Sequence, residues 1–142
     1  MNVLFDTNVI LDVLLAREPF STDAANLLAK VERSEIIGFA CATTITTIHY
    51  LSTKMLGPQA AARHIESLLA LFVIAPVNRL VLENAFAAKF SDFEDAVLHE
   101  AAVHAGVQHI VARNIKDFKN ASLPVYEPKN FLSMLDLIQK TD

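Results

Sequence analysis

Asn2-Val3-Leu4-Phe5-Asp6-Thr7-Asn8-Val9-Ile10-Leu11-Asp12 is the stretch on which the fold turns. The apolar run Val3–Phe5 predicts a short buried strand. It stops at a carboxylate, Asp6, followed by Thr7 and Asn8, two residues that favour turns and helix starts. A helix is predicted over Asn8–Leu15. Parallel α/β sheets hold their ligands just beyond the carboxyl ends of their strands. Asp6 therefore stands where chemistry is usually done.

Outward from this stretch, strands and helices alternate. Pro19 breaks the chain, and Ser21 or Thr22 can cap a helix running to about Arg33. Strands are predicted at Ile36–Ala40, Phe72–Ala75, Gln108–Val111 and Val125–Tyr126. Helices are predicted over Thr43–Met55, from Gly57-Pro58 to about Leu71, and over Arg79–Lys89 and Asp92–Ala105. A last helix, Asn130–Lys140, follows Pro128. No hairpin signal, repeat or linker interrupts the alternation. The expected fold class is α/β, a three-layer α/β/α sandwich around a mostly parallel sheet of about five strands, with residues 1–142 forming a single domain.

Composition excludes several classes of function. At 142 residues, with 53% hydrophobic and 20% charged side chains, the chain can bury a real core and is not a disordered sequence. The longest apolar run, Leu68 to Val77, contains Pro76 and is about half a bilayer span, so no membrane association is expected. No basic segment precedes the first strand, so no signal peptide is expected. The single cysteine, Cys41, reads as a small buried residue at a strand end, and a reducing cytoplasm is the expected location. A net charge of −4, from 16 acids and 12 bases, argues against nucleic-acid binding by bulk charge alone. It is compatible with an acidic centre inside a locally basic rim.

The acids themselves are the next clue. Ser91-Asp92-Phe93-Glu94-Asp95-Ala96 opens a helix, and Ser91 with Glu94 fits a capping box. Acids in a first turn gain about 0.3–1 kcal/mol each from the helix dipole. Asp92 and Asp95 share one face, which His99 extends by four. After the strand ending at Val111, Ala112-Arg113-Asn114-Ile115-Lys116-Asp117-Phe118 again sets an acid beyond a strand end, although a solvated turn would read the same way. Asp6, Asp92, Asp95 and Asp117 all lie at loop-facing ends of the layers, where they can converge. Two carboxylates about 5 Å apart repel by roughly 3 kcal/mol at an effective dielectric near 20, so one takes a proton or a cation binds between them. Few protein oxygens with room for water suit Mg²⁺ or Mn²⁺, ions that hold a phosphodiester and activate water. Zinc spacings, glycine-rich phosphate loops and a Gly-x-Ser-x-Gly elbow are absent from the sequence. Phosphodiester hydrolysis remains.

Three motifs in order now carry a family resemblance. Asp6-Thr7-Asn8-Val9-Ile10-Leu11-Asp12, Asp92-Phe93-Glu94-Asp95-Ala96 and Val111-Ala112-Arg113-Asn114-Ile115-Lys116-Asp117-Phe118 resemble the first, central and closing motifs of the PIN domain, the fold of VapC-type toxin ribonucleases. The resemblance extends from Asn2 to the Pro128–Leu132 segment. It implies a divalent-metal-dependent endoribonuclease, the toxin of a VapBC-type pair, with an RNA substrate, a cognate antitoxin and a homodimer. It implies Asp6 and Asp95 as metal-binding carboxylates, Asp92 as a further metal-side acid and Asn8 as an organising amide. Asp117 joins these acids as a catalytic candidate, with Glu94 and Asn114 in support.

Two departures accompany the likeness. Many relatives carry a glutamate three positions past a Ser or Thr in the helix after the second strand; Thr46-Thr47-Ile48-His49 places His49 there. Where many relatives have Thr-x-Asp, this chain has Ala112-Arg113-Asn114, and the nearest acid is Asp117. Fewer carboxylates imply weaker metal binding or dependence on Asp117, and leave open a catalytically weak or inactive PIN domain that binds RNA or protein. Arg113, Lys116 and Lys119 are candidates to steer the RNA backbone, or else ordinary surface bases. Asp12, four residues after Asn8, either orients it or faces solvent. The apolar stripes around Leu14, Leu28 and Leu51 read as intramolecular core or as a dimer face. Receiver-like phosphoacceptor and haloacid-dehalogenase-type phosphatase readings lack their required acids: the strands Ile36–Ala40 and Phe72–Ala75 end without one, and Asn8 stands two residues after Asp6.

Overall fold

The computed structural model describes residues 1–141. Its elements, in chain order, are β1 (Asn2–Phe5), α1 (Thr7–Leu14), α2 (Ser21–Glu32), β2 (Ile37–Cys41), α3 (Ala42–Leu56), α4 (Pro58–Leu71), β3 (Val73–Ala75), α5 (Arg79–Ala87), α6 (Phe93–His104), β4 (His109–Val111), a 3-10 turn (Ile115–Phe118), β5 (Val125–Tyr126) and α7 (Pro128–Thr141). All pairings in the five-stranded sheet are parallel, in the order β3-β2-β1-β4-β5. The expected α/β architecture is therefore the observed one.

Period-two alternation sorts the side chains of each strand into two cores. Val3, Phe5, Ala40 and Val111 face one core, filled by Val9, Ile10 and Leu11 of α1, Leu27, Leu28 and Val31 of α2, Ile48 of α3, Leu68 of α4, and Phe131 and Leu135 of α7. Leu4, Phe39, Cys41, Ile110 and Ala112 face the other, closed by Val81 and Ala85 of α5 and by Ala96, Val97, Leu98, Ala101 and Ala102 of α6. β1 is central, and Val3, Leu4 and Phe5 have no exposed surface. The stripes around Leu14, Leu28 and Leu51 are spent on the first core. Among the described residues no helix is long and apolar enough to cross a membrane.

Several boundaries differ from the sequence reading, each for a local reason. α1 starts at Thr7 because Asp6 caps it, accepting the Asn8 N–H at 3.4 Å. α3 follows β2 with no loop, so that Cys41 is both the last strand residue and the helix cap. α7 begins at Pro128, since the first helical turn needs no proline N–H. The Ser91–Glu94 capping box does not form. Asp92 caps α6 instead, its Oδ1 accepting the Asp95 N–H at 3.0 Å.

The strand order places a topological switch at β1 and β4. From β1 the chain winds to β2 on one side, and from β4 to β5 on the other. Loops leaving two neighbouring strands in opposite directions open a crevice at their carboxyl ends. Asp6 ends β1 there, its N–H donating to the Val111 carbonyl of β4 at 2.9 Å.

Candidate active site

The crevice is a cleft of about 330 Å³ lined by Asp6, Thr7, Asn8 and Leu11 from β1 and α1, Thr47 and Leu51 from α3, Asp92, Glu94, Asp95 and Leu98 from α6, and Asp117 from the turn after β4. Five carboxylates from three separate segments thus border one opening, with no Lys or Arg among the lining residues. The segments are brought there by the sheet: Asp6 by the end of β1, Asp117 by the loop leaving β4, and the acidic first turn of α6 by its packing under both strands.

Electrostatics follow from this crowding. Burial pushes the Asp6 carboxyl up to about 6, offset in part by the N–H groups of Asn8 and Thr7 and reinforced by Glu94 and Asp117. Asp95, half-buried, is raised to about 7 by burial and then by Asp6, Asp92, Asp117 and Glu94. Both groups bind protons far above the usual carboxylate range, first because burial disfavours the charged form and then because neighbouring carboxylates repel it.

A divalent ion is the countercharge that such a set of oxygen donors suits. Among the described residues no three acids, imidazoles or thiols stand close enough to enclose one. A closed cage is therefore absent there. The carboxylates are nonetheless hard oxygen donors in an open, polar cleft. Mg²⁺ is commonly held by one or two carboxylates with water completing its shell. Asp6 and Asp95, the two acids whose charge the cleft disfavours most, fit that open mode. Asp92 has already spent one oxygen on capping α6.

Not every predicted residue reaches the cleft. His49 is exposed and lies on another part of α3, beside Tyr50, Thr53 and Lys54. Thr47, itself three positions past a threonine (Thr44), faces the acids in its place. Thr44 is buried and hydrogen-bonds Thr7 at 2.8 Å, tying α3 to α1. Asn114 is exposed before the 3-10 turn, and its carbonyl accepts the Asp117 N–H at 3.2 Å. Lys116 and Lys119 are exposed on the same turn. Arg113 turns to Asp12 and stacks over the Phe20 ring at 4.1 Å. His99 does not extend the acidic face. It is buried beside Phe90, and its Nε2 accepts from the backbone N–H of Ser122 at 3.0 Å.

Sequence reasoning missed Thr47, Leu51 and Leu98 in the cleft wall, and it missed the burial of Asp12. Asp12 is 1% exposed and ion-paired with both Arg17 and Arg113. The i, i+4 spacing of Thr47 and Leu51 was the available signal for one wall.

Fold and cleft together define a parallel α/β domain with an acidic crevice at its switch point. The PIN domain family profile matches residues 2–116, and the chain belongs to that family. No curated protein matches the sequence. Among solved structures, similar folds include the DNA-bound VapBC of Salmonella typhimurium, at 12% identity and TM-score 0.69 over 90% of this chain and 98% of that one. A toxin–antitoxin complex from Klebsiella pneumoniae is similar at 23% identity and TM-score 0.66, covering 89% and 97% of the two chains. VapC20 of Mycobacterium tuberculosis, a sarcin–ricin loop cleaving toxin, is similar at 14% identity and TM-score 0.65, covering 85% and 98%. At these identities the likeness carries the fold alone.

Proposed function

We propose that this chain is a divalent-metal-dependent endoribonuclease, the toxin of a VapBC-type pair, with single-stranded or loop RNA as substrate and a small antitoxin as partner. The observation that carries the reading is the meeting of five carboxylates from three segments in the switch-point cleft. Membership of the PIN family and the toxin–antitoxin complexes among similar folds support it. A homodimer and a cytoplasmic location belong to the same reading.

In this reading Asp6 and Asp95 hold Mg²⁺ or Mn²⁺. Asp92 supports them from the helix cap, and Asp117 closes the opposite wall. When bound, the ion supplies positive charge to the scissile phosphate and lowers the pKa of water. Asp6, anchored by the helix-start N–H groups, keeps a fixed carboxylate direction. Asn8 lines the same wall and can donate its amide to a phosphate oxygen. Lys116 and Lys119, exposed beside Asp117, attract the backbone to a cleft that is otherwise acidic.

The test is cleavage of single-stranded RNA by purified protein with and without Mn²⁺. Asp6→Asn and Asp95→Asn are each expected to lower the rate by about a thousand-fold, the loss of several kcal/mol of charge stabilisation. Circular dichroism should be unchanged, since asparagine at position 6 still caps α1 and the cap of α6 is Asp92, not Asp95. Cleavage at the parental rate by Asp6→Asn ends the assignment. A second reading, a PIN domain that binds RNA without efficient cleavage, is favoured by the lack of an enclosing triad of ligands among the described residues and by Thr47 on the α3 wall. Titration with Mn²⁺ separates the two, because only the nuclease needs saturable binding that Asp6→Asn abolishes.

A further inference from the structure

Arg113 and Asp12 are 101 residues apart in sequence, yet they form a fork-to-fork ion pair. Arg113 Nε donates to Asp12 Oδ2 at 3.1 Å, and its NH2 group donates to Oδ1. Arg17 Nε donates to the same Oδ1 at 2.8 Å. The carboxylate side chain is 2% exposed, and the two guanidinium groups are its cover. A buried carboxylate held by two planar donors has little freedom, and neither can its partners move without uncovering a charge. Arg17 reaches a residue of the cleft wall directly, whereas Arg113 is joined to the cleft only through the chain that follows it. Arg17 donates through NH2 to both the side-chain and the backbone oxygen of Asn8, each at 3.3 Å. Arg113 is the first partly exposed residue after β4, pinned on its other face by Phe20. Four residues later comes Asp117, with buried Phe118 as the second anchor of that turn.

We propose that Asp12 is the hub of a positioning network that holds Asn8 on one wall of the acid cleft and the Asp117 turn on the other. Arg113 is thereby an anchor of the turn and not a contact to RNA. The proposal rests on the ribonuclease reading for its kinetic consequences, but its structural content stands apart from activity. It also accounts for how a chain with Ala112-Arg113-Asn114 after β4 brings an acid to the cleft: the nearest one, Asp117, sits on a turn tethered at both ends.

Arg113→Gln, Arg113→Lys, Asp12→Asn and the double variant Asp12→Asn/Arg113→Gln separate an anchor from an RNA contact. For an anchor, kcat falls about ten- to hundred-fold, the cost of a displaced group, while KM stays within about two-fold. Lysine restores little, because it lacks the two-pronged fork. The double variant is no worse than the worse single one, because both remove the same contact. Backbone hydrogen exchange over residues 113–118 rises by about ten-fold or more as the turn loosens. For an RNA contact, KM rises, lysine restores it, the logarithmic salt dependence weakens by about one unit, and exchange is unchanged; that set of results overturns the proposal. If Asp12→Asn does not fold, the Arg113 variants, altered at a partly exposed side chain, carry the test alone. If the parent protein does not cleave RNA, the ribonuclease reading fails. The hub is then decided by exchange: faster exchange in the variants supports it, and identical exchange overturns it.

Discussion

Asp6 is pulled in two directions. Its charge is wanted by the first N–H groups of α1 and opposed by its burial and by its acidic neighbours, and burial prevails, setting its pKa at about 6. In the unfolded chain an aspartate titrates near 3.9. Between those two values the folded state binds more protons, so rising pH destabilises the metal-free protein, by about 3 kcal/mol for Asp6 once pH exceeds its folded pKa. Asp95 acts in the same direction up to about pH 7. Buried His99 and half-buried His109, whose rings titrate below a free imidazole because desolvation disfavours their charge, act in the opposite direction below about pH 6.5. The difference between parent and Asp6→Asn isolates the carboxylate. In EDTA, the parent's melting temperature should fall relative to that of Asp6→Asn as pH rises from 4 to 7. Parallel curves for the two proteins would show that Asp6 does not carry this strain.

At the scale of elements, β2 is constrained by a residue with no side chain. A Cβ on Gly38 would lie 2.9 Å from the Phe72 ring and 2.9 Å from Val31 Cγ1. The absence of a side chain lets α2 and the Phe72 corner pack directly on the strand that pairs with β1 through Val3. Gly38→Ala should therefore cost about 1–3 kcal/mol, the usual range for overpacking. Urea unfolding measures this, and an unchanged midpoint would mean that the Phe72 ring simply turns aside. The start of α6 makes a related point about the cleft. Asp92 is exposed, and its capping bond fixes the first turn and with it the backbone position of Asp95.

At the scale of the molecule, a parallel sheet converts distant sequence positions into neighbours at one edge. Residues 6, 92–95 and 117 meet because β1 and β4 are adjacent and their connections leave in opposite directions. The resulting repulsion is a property of the assembled fold and vanishes on unfolding. A cation that binds only the folded state stabilises it by about 2.7 kcal/mol at a hundred times its Kd, roughly 8 °C in melting temperature for a chain of this size. Mn²⁺ should raise the melting temperature of the parent by about that amount at pH 7.5 and leave the Asp6→Asn/Asp95→Asn double variant unmoved. An equal rise in both would place the ion elsewhere.

Strand positions, the α/β class with a mostly parallel sheet and the acids at strand ends were legible because they are local or periodic. Val3–Phe5 is apolar on both faces, as a central strand must be, and Asp6 interrupts it at the point where the strand stops. The walls of the cleft were not legible in the same way. α3 is buried through Thr44, Ile48 and Ser52, a stripe in which two of three residues are polar, so apolar periodicity could not set its rotation. His49 and Thr47 are two residues apart, about 200° around the helix, and only packing chooses between them. Likewise, nothing near Asp12 in sequence announces Arg113, and nothing near His99 announces Ser122. The amino-acid sequence by itself determined the layers, the strand ends and which acids could meet. Tertiary structure alone decided which side chains turn into the cleft and which are consumed in holding it, because helix rotation and long-range ion pairs are settled by the whole packed interior and leave no mark on neighbouring residues.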